Sequence, residues 1–105
     1  YEYLEKKRIQ RELENLLAED DFKIFPNPFY SSFNIVFLPK TADKNFVQIT
    51  DTYGRILFRE YVNVTEGRAF HLPVHQLNGM PAGIYFITIG DAKGIRTKKL
   101  VKARF

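Results

Sequence analysis

His71 and His75 stand four residues apart, the spacing of two metal ligands on one helical face. Pro73 between them breaks any such helix, and no acid lies nearby in sequence, so the pair reads as two ordinary histidines. Ser31 and Ser32 carry hydroxyls, but neither sits in a G-x-S-x-G elbow, and a Ser/His/Asp triad drawn from them has no positional support. From Phe22 onward the acids are Asp43, Asp51, Glu60, Glu66 and Asp91. They are scattered, mostly in turn-forming stretches where Asp caps its own backbone. A glycosidase needs two carboxylates facing across a cleft, and a domain this small has little cleft to offer. No D-x-[DN]-x-[DN]-G calcium loop is present. Gly54, Gly83, Gly90 and Gly94 are isolated turn glycines and not a phosphate cradle. The chain has no cysteine, which excludes disulfides, thiolate chemistry and Cys-based zinc sites. Asn63-Val64-Thr65 matches a glycosylation acceptor, a motif too short to weigh by itself. These residues lead to the expectation of a protein that is not an enzyme and takes no cofactor.

The charged feature that remains is the terminal run Arg96, Lys98, Lys99, Lys102 and Arg104. Strand alternation puts Arg96, Lys98, Lys102 and Arg104 on one face around Leu100, with Lys99 on the other. Lysines protect an edge strand from unwanted pairing; a docking strand for an acidic partner is the functional alternative. Residues 1–21 hold four bases and seven acids, whereas residues 22–105 hold twelve bases and five acids, a net charge of +7. Such a field favours anionic partners, with simple solubility as the competing explanation. A nucleic-acid surface would interleave basic and aromatic residues on one face, but Tyr85-Phe86 has apolar neighbours, so no nucleic-acid partner is expected.

The elements that must position these residues follow from periodicity. The length of 105 residues fits one domain, and ten Phe with six Tyr favour strands packed in layers. Residues 3–18 read as a short amphipathic helix with Ile9, Leu13, Leu16 and Leu17 on one stripe. That stripe is expected to dock on the β domain, on an absent parent domain, or on a second copy by self-association. After Asp21 the period changes to two. Strands are expected over 22–25, 32–38, 46–50, 55–64 (irregular or bulged), 68–72, 84–89 and 95–103, with one helical turn around Val74–Leu77. Pro26-Asn27-Pro28 ends the first strand and is expected to set where the linker meets the domain. The expected fold is an all-β, immunoglobulin-like antiparallel β-sandwich of about seven strands behind a short amphipathic N-terminal helix. Residues 1–21 are expected to be a charged helix or linker, or else the tail of an upstream domain, and residues 22–105 the sandwich. No run reaches the length of a membrane helix. The chain opens on Tyr1 and not on Met, so it is expected to be a piece of a longer protein.

Four segments in order resemble one known family. Ile24-Phe25-Pro26-Asn27-Pro28-Phe29 is similar to the Y/F-P-N-P opening of the C-terminal sorting domains of the type IX secretion system in Bacteroidota. Asp51-Thr52-Tyr53-Gly54-Arg55 resembles that family's D-x-x-G-R/K turn. Leu77 to Phe86, with Gly83 and Tyr85, resembles its L-x-x-G-x-Y segment, and Gly94 to Lys102, with Lys98, Lys99 and Lys102, its basic terminal strand. The resemblance implies a secretion signal at the C-terminus of a cargo that enters the periplasm and then reaches the cell surface or the medium. It implies as partners the outer-membrane translocon, its shuttle protein, and a sortase-like cysteine peptidase that removes the module, with release of the cargo or attachment to lipopolysaccharide. The alternative is an adhesive or carbohydrate-binding sandwich appended to a secreted enzyme, which would be expected to display exposed aromatics, whereas Trp is absent and the Phe and Tyr mostly take alternating strand positions. The last strand is expected to be the key recognition element.

Overall fold

From Phe22 onward apolar residues recur at every second position in short runs, and each run ends near Gly, Pro, Asn or Asp. That pattern makes half-buried strands joined by tight turns. A computed structural model describes Gln10 and residues 21–104. The strands are β1 (Phe22–Phe25), β2 (Phe33–Phe37), β3 (Asp43–Thr50), β4 (Ile56–Val64), β5 (Phe70–Val74), β6 (Gly83–Asp91) and β7 (Gly94–Lys102). They form two sheets, ordered β1-β2-β5 and β4-β3-β6-β7, with antiparallel pairing throughout. The expected all-β arrangement of seven antiparallel strands in two sheets is therefore present. The helix expected over residues 3–18, with its stripe Ile9, Leu13, Leu16 and Leu17, lies outside the described residues.

Alternation fills the space between the sheets. Phe33, Ile35 and Phe37 of β2 meet Val47 and Ile49 of β3 and Ile87 and Ile89 of β6 in one buried cluster. Each such side chain contributes roughly 1.5–3 kcal/mol by leaving water. Phe29 and Leu77 lie outside the strands and are buried in the same cluster.

Three departures from the expected elements have local causes. Strand β3 begins at Asp43 rather than Phe46, because the polar run Asp43-Lys44-Asn45 pairs with Val62–Val64 of β4. β5 runs two residues later than expected and contains Pro73. Among the described residues only β2 flanks it, so a missing amide on the outer side breaks no ladder. The helical turn expected around Val74–Leu77 is not formed: Val74 ends β5, and the bonds Asn78 N→His75 O and Met80 N→Leu77 O close reverse turns. In β4, Ile49 pairs with Phe58 while Thr50 pairs with Ile56, so Leu57 forms the bulge expected there. On the outer face, the Phe46 ring lies across Gly90: a Cβ on Gly90 would come 2.1 Å from Phe46 Cε1. The ring continues into contacts with Tyr61 and with the Arg59 guanidinium.

Register sorts the connections into two ends. The chain enters at Asp21, and that end also carries the β2–β3, β4–β5 and β6–β7 connections. Arg96 ties it together, donating to Leu38 O at 3.3 Å and pairing with Asp21 at 3.0 Å. We refer to it as the proximal end, because residues 1–20 join there. The distal end carries Pro26–Ser32, Asp51–Arg55, His75–Ala82 and the close of β7, where Phe29 bridges to Lys102.

Candidate functional site

The missing amides of Pro26 and Pro28 end β1, and both prolines follow cis peptide bonds. The chain then runs along the outer edge of β7. Asn27 donates through Nδ2 to Lys99 O and accepts at Oδ1 from Val101 N, both at 3.0 Å. Phe29 N donates to Val101 O at 2.9 Å, and Ala103 N donates to Phe29 O at 2.7 Å. Phe29 itself is buried with its ring 4.8 Å from that of Phe33. The Pro-Asn-Pro segment is thus a strap across the edge of β7. It does not mark where the linker meets the domain, since the chain enters at the opposite end.

Asp51 builds the turn between β3 and β4. Its Oδ1 accepts from Tyr53 N at 2.9 Å and from Arg55 N at 3.0 Å, and its Oδ2 accepts from Arg55 Nε at 2.6 Å. Gly54 N and Asp51 N close the loop on the backbone. Gly54 has φ +82°, a conformation that a Cβ resists. Burial works against ionisation of Asp51, but the hydrogen bonds from Arg55 and Tyr53 and the Arg55 charge outweigh it and hold the carboxyl below its ordinary 3.8.

Lys102 is buried, at 7% exposure. Its ammonium donates to Leu77 O at 2.8 Å, Asn78 O at 2.8 Å and Met80 O at 2.6 Å. An ammonium has three N–H groups, and all three are matched. The end of β7 is thereby clamped to the connection between β5 and β6, and Gly83, which opens β6, pairs with Lys102 in register. Tyr85 is buried beside it and donates its hydroxyl to Pro81 O. Burial, and then the charge of Asp51, push the Tyr85 phenol above its ordinary value.

Of the residues singled out in the sequence, Pro26, Asn27, Pro28, Asp51, Gly54, Arg55, Gly83, Tyr85 and Lys102 meet at the distal end. Lys98 and Lys99 lie midway along β7. Alternation does place Arg96, Lys98, Leu100 and Lys102 on one face, but that face is turned toward the other sheet. Leu100 is in the core, Lys98 Nζ stands 5.7 Å from the Phe22 ring centroid, and the Arg96 guanidinium stands 6.0 Å from that of Phe37. Lys99 is exposed on the outer face, in register with Phe86. Along Lys99–Ala103 the strap already occupies backbone groups on the outer edge of β7, so this part is not an open docking edge. The sequence reading missed the carbonyls that receive Lys102. Its one signal was the turn-rich Leu77-Asn78-Gly79-Met80, which names no acceptor.

Two hollows flank Met80–Ala82: one of about 320 Å³ faces the Asp51 turn, and one of about 370 Å³ faces Ala103 and Arg104. Among the described residues no group of His, Asp and Glu is placed to hold a metal ion, and His71 Nε2 is instead 2.8 Å from Asn34 Oδ1. Nor is any helix among them long and apolar enough to cross a membrane. A family model described as a secretion system C-terminal sorting domain matches residues 23–103. No curated protein matches the chain.

Proposed function

The chain belongs to the secretion system C-terminal sorting domain family, and on that premise we propose that its distal end is the surface the export machinery reads. Membership makes it a non-catalytic targeting module of type IX secretion, in the context of secreted and cell-surface proteins. The observation that carries the proposal is convergence. Segments far apart in sequence, all part of the family resemblance, meet at the end opposite Asp21, where residues 1–20 join. A cargo hung from the proximal end leaves the distal end clear.

On this reading the partners are the outer-membrane translocon and its shuttle protein, met during periplasmic transit, and a sortase-like cysteine peptidase that cuts ahead of the sandwich. Asp51, Gly54 and Arg55 present a turn, whereas Pro26, Asn27, Pro28, Gly83, Tyr85 and Lys102 shape the end around it. Lys98 and Lys99 are secondary. The division at residue 21 and an immunoglobulin-like topology fit the same picture, supported by the order β1-β2-β5 over β4-β3-β6-β7 with crossings after β2, β4 and β5. Docking of residues 1–21 on the β domain is preferred to self-association. Support comes from Gln10, whose Nε2 donates to Ala69 O at 3.4 Å, and from Val36, which points outward from β2 yet has no exposed surface.

The test is export of a neutral periplasmic reporter fused to the full chain, in a bacterium that has this secretion system. Reversing exposed proximal charges (Glu66→Lys with Lys93→Glu) is expected to leave export intact. Changing the distal surface (Ala82→Arg with Arg104→Glu) is expected to impair it in a folded protein. Equal effects from the two pairs would sink the distal-end reading, and an intact fusion retained in the periplasm would sink sorting.

A further inference from the structure

Arg55 is held by one edge of its guanidinium. Its Nε donates to Asp51, while neither terminal Nη group has a partner among the described residues. The side chain is 74% exposed, and its guanidinium stands 5.6 Å from the ring of Tyr53, which is 85% exposed. The turn beneath is fixed by the Asp51 bonds to Tyr53 N and Arg55 N and by the backbone closure at Gly54. Beside it lies the hollow of about 320 Å³, lined in part by Met80, Pro81, Ile84 and Tyr85.

Each part has a chemical complement. A guanidinium with its outer fork free receives a carboxylate through two parallel N–H bonds. The apolar lining receives an aliphatic or aromatic side chain. Tyr and Arg are the residue types that most often dominate binding energy at an interface, and a turn already rigid loses little freedom on docking. Asp51, the acid lining this hollow, is already engaged by Arg55, so the carboxylate must come from the partner. The net +7 of residues 22–105 adds long-range attraction toward such a partner.

We propose that Tyr53 and Arg55 are the anchor of a docking surface that takes an apolar, carboxylate-bearing segment of the secretion machinery. The proposal rests on the sorting function above and identifies what the distal end recognises. It is tested with the full chain fused to a periplasmic reporter in a type IX-secreting bacterium. Arg55→Lys keeps the positive charge near Asp51 and removes the fork. Tyr53→Ser removes the ring and leaves the backbone bond to Asp51 in place. Both variants are expected to melt at the parent's temperature and to export on the order of tenfold less reporter. Parental export by both folded variants overturns the anchor while leaving sorting intact. If Arg55→Lys lowers the melting temperature, Tyr53→Ser alone decides. An intact fusion that stays in the periplasm removes the sorting reading, and the anchor with it.

Discussion

A lysine near the end of a basic strand invites a reading as a recognition charge, and Lys102 shows why burial must be known first. Lysine is almost never buried unless paired, so sequence alone favours solvent for it. Here three backbone carbonyls replace the water around its ammonium. Lys102→Met is expected to destabilise the domain by roughly 2–4 kcal/mol in urea titration, since three carbonyls lose a charged donor. A change within experimental error would show that water serves those carbonyls equally well. Asp51, in contrast, was legible from its type and its distance from Gly54, because a short acid at the head of a glycine turn caps that turn. Its folded pKa is lowered, so its stabilisation is complete above the ordinary value of 3.8 and disappears as pH falls through the lower folded value. Thermal melts of the parent and Asp51→Asn should therefore differ by a constant amount near neutrality and converge in strong acid. A gap that widens on acidification would contradict the assignment.

At the scale of elements, the strands were legible because alternation and turn residues coincide, whereas their neighbours were not. Pro73 lies just past the strand expected over 68–72, yet an edge strand accommodates it. The strap by Asn27 is a contact between residues 72 positions apart, with no local signature. Asn27→Ala should leave Val101 N without its acceptor and release Lys99 O, at a cost of about 1–3 kcal/mol. Faster hydrogen exchange at the Val101 amide would report it, and unchanged protection would deny the strap. Gly90 is a second hidden constraint, since its sequence neighbourhood suggests only a hairpin, not the aromatic ring that covers it. Gly90→Ala is expected to cost roughly 1–3 kcal/mol, and Phe46→Leu in the same chain should recover part of that loss. The edges are managed in four different ways. β1 is short, β4 is bulged at Leu57, β5 carries Pro73, and β7 is strapped at Lys99–Ala103.

For the whole molecule, a two-sheet sandwich could be anticipated from the count and spacing of strands, but which strands share a sheet and the gathering of the motifs at one end required the register. The outer face of β1-β2-β5 belongs to this scale too. Val36, Ala69, Phe25 and Leu38 form an apolar cluster there, beside the Gln10 bond to Ala69. Deleting residues 1–20 is expected to lower the melting temperature while the chain stays monomeric in sedimentation. An unchanged melting temperature would mean that those residues contribute nothing to the fold. The placement of Asp21 at one end and of Tyr53 and Arg55 at the other also has a mechanical consequence. A load held at the distal turn and drawn back through Asp21 acts along the strands, and antiparallel ladder bonds lie perpendicular to them. Tension then shears the β1–β2 ladder as a unit rather than peeling it bond by bond. Such a domain resists drag from a heavy passenger far better than its four-residue first strand would suggest, and single-molecule pulling between residues 21 and 53 should rupture at a higher force than pulling between 21 and 40.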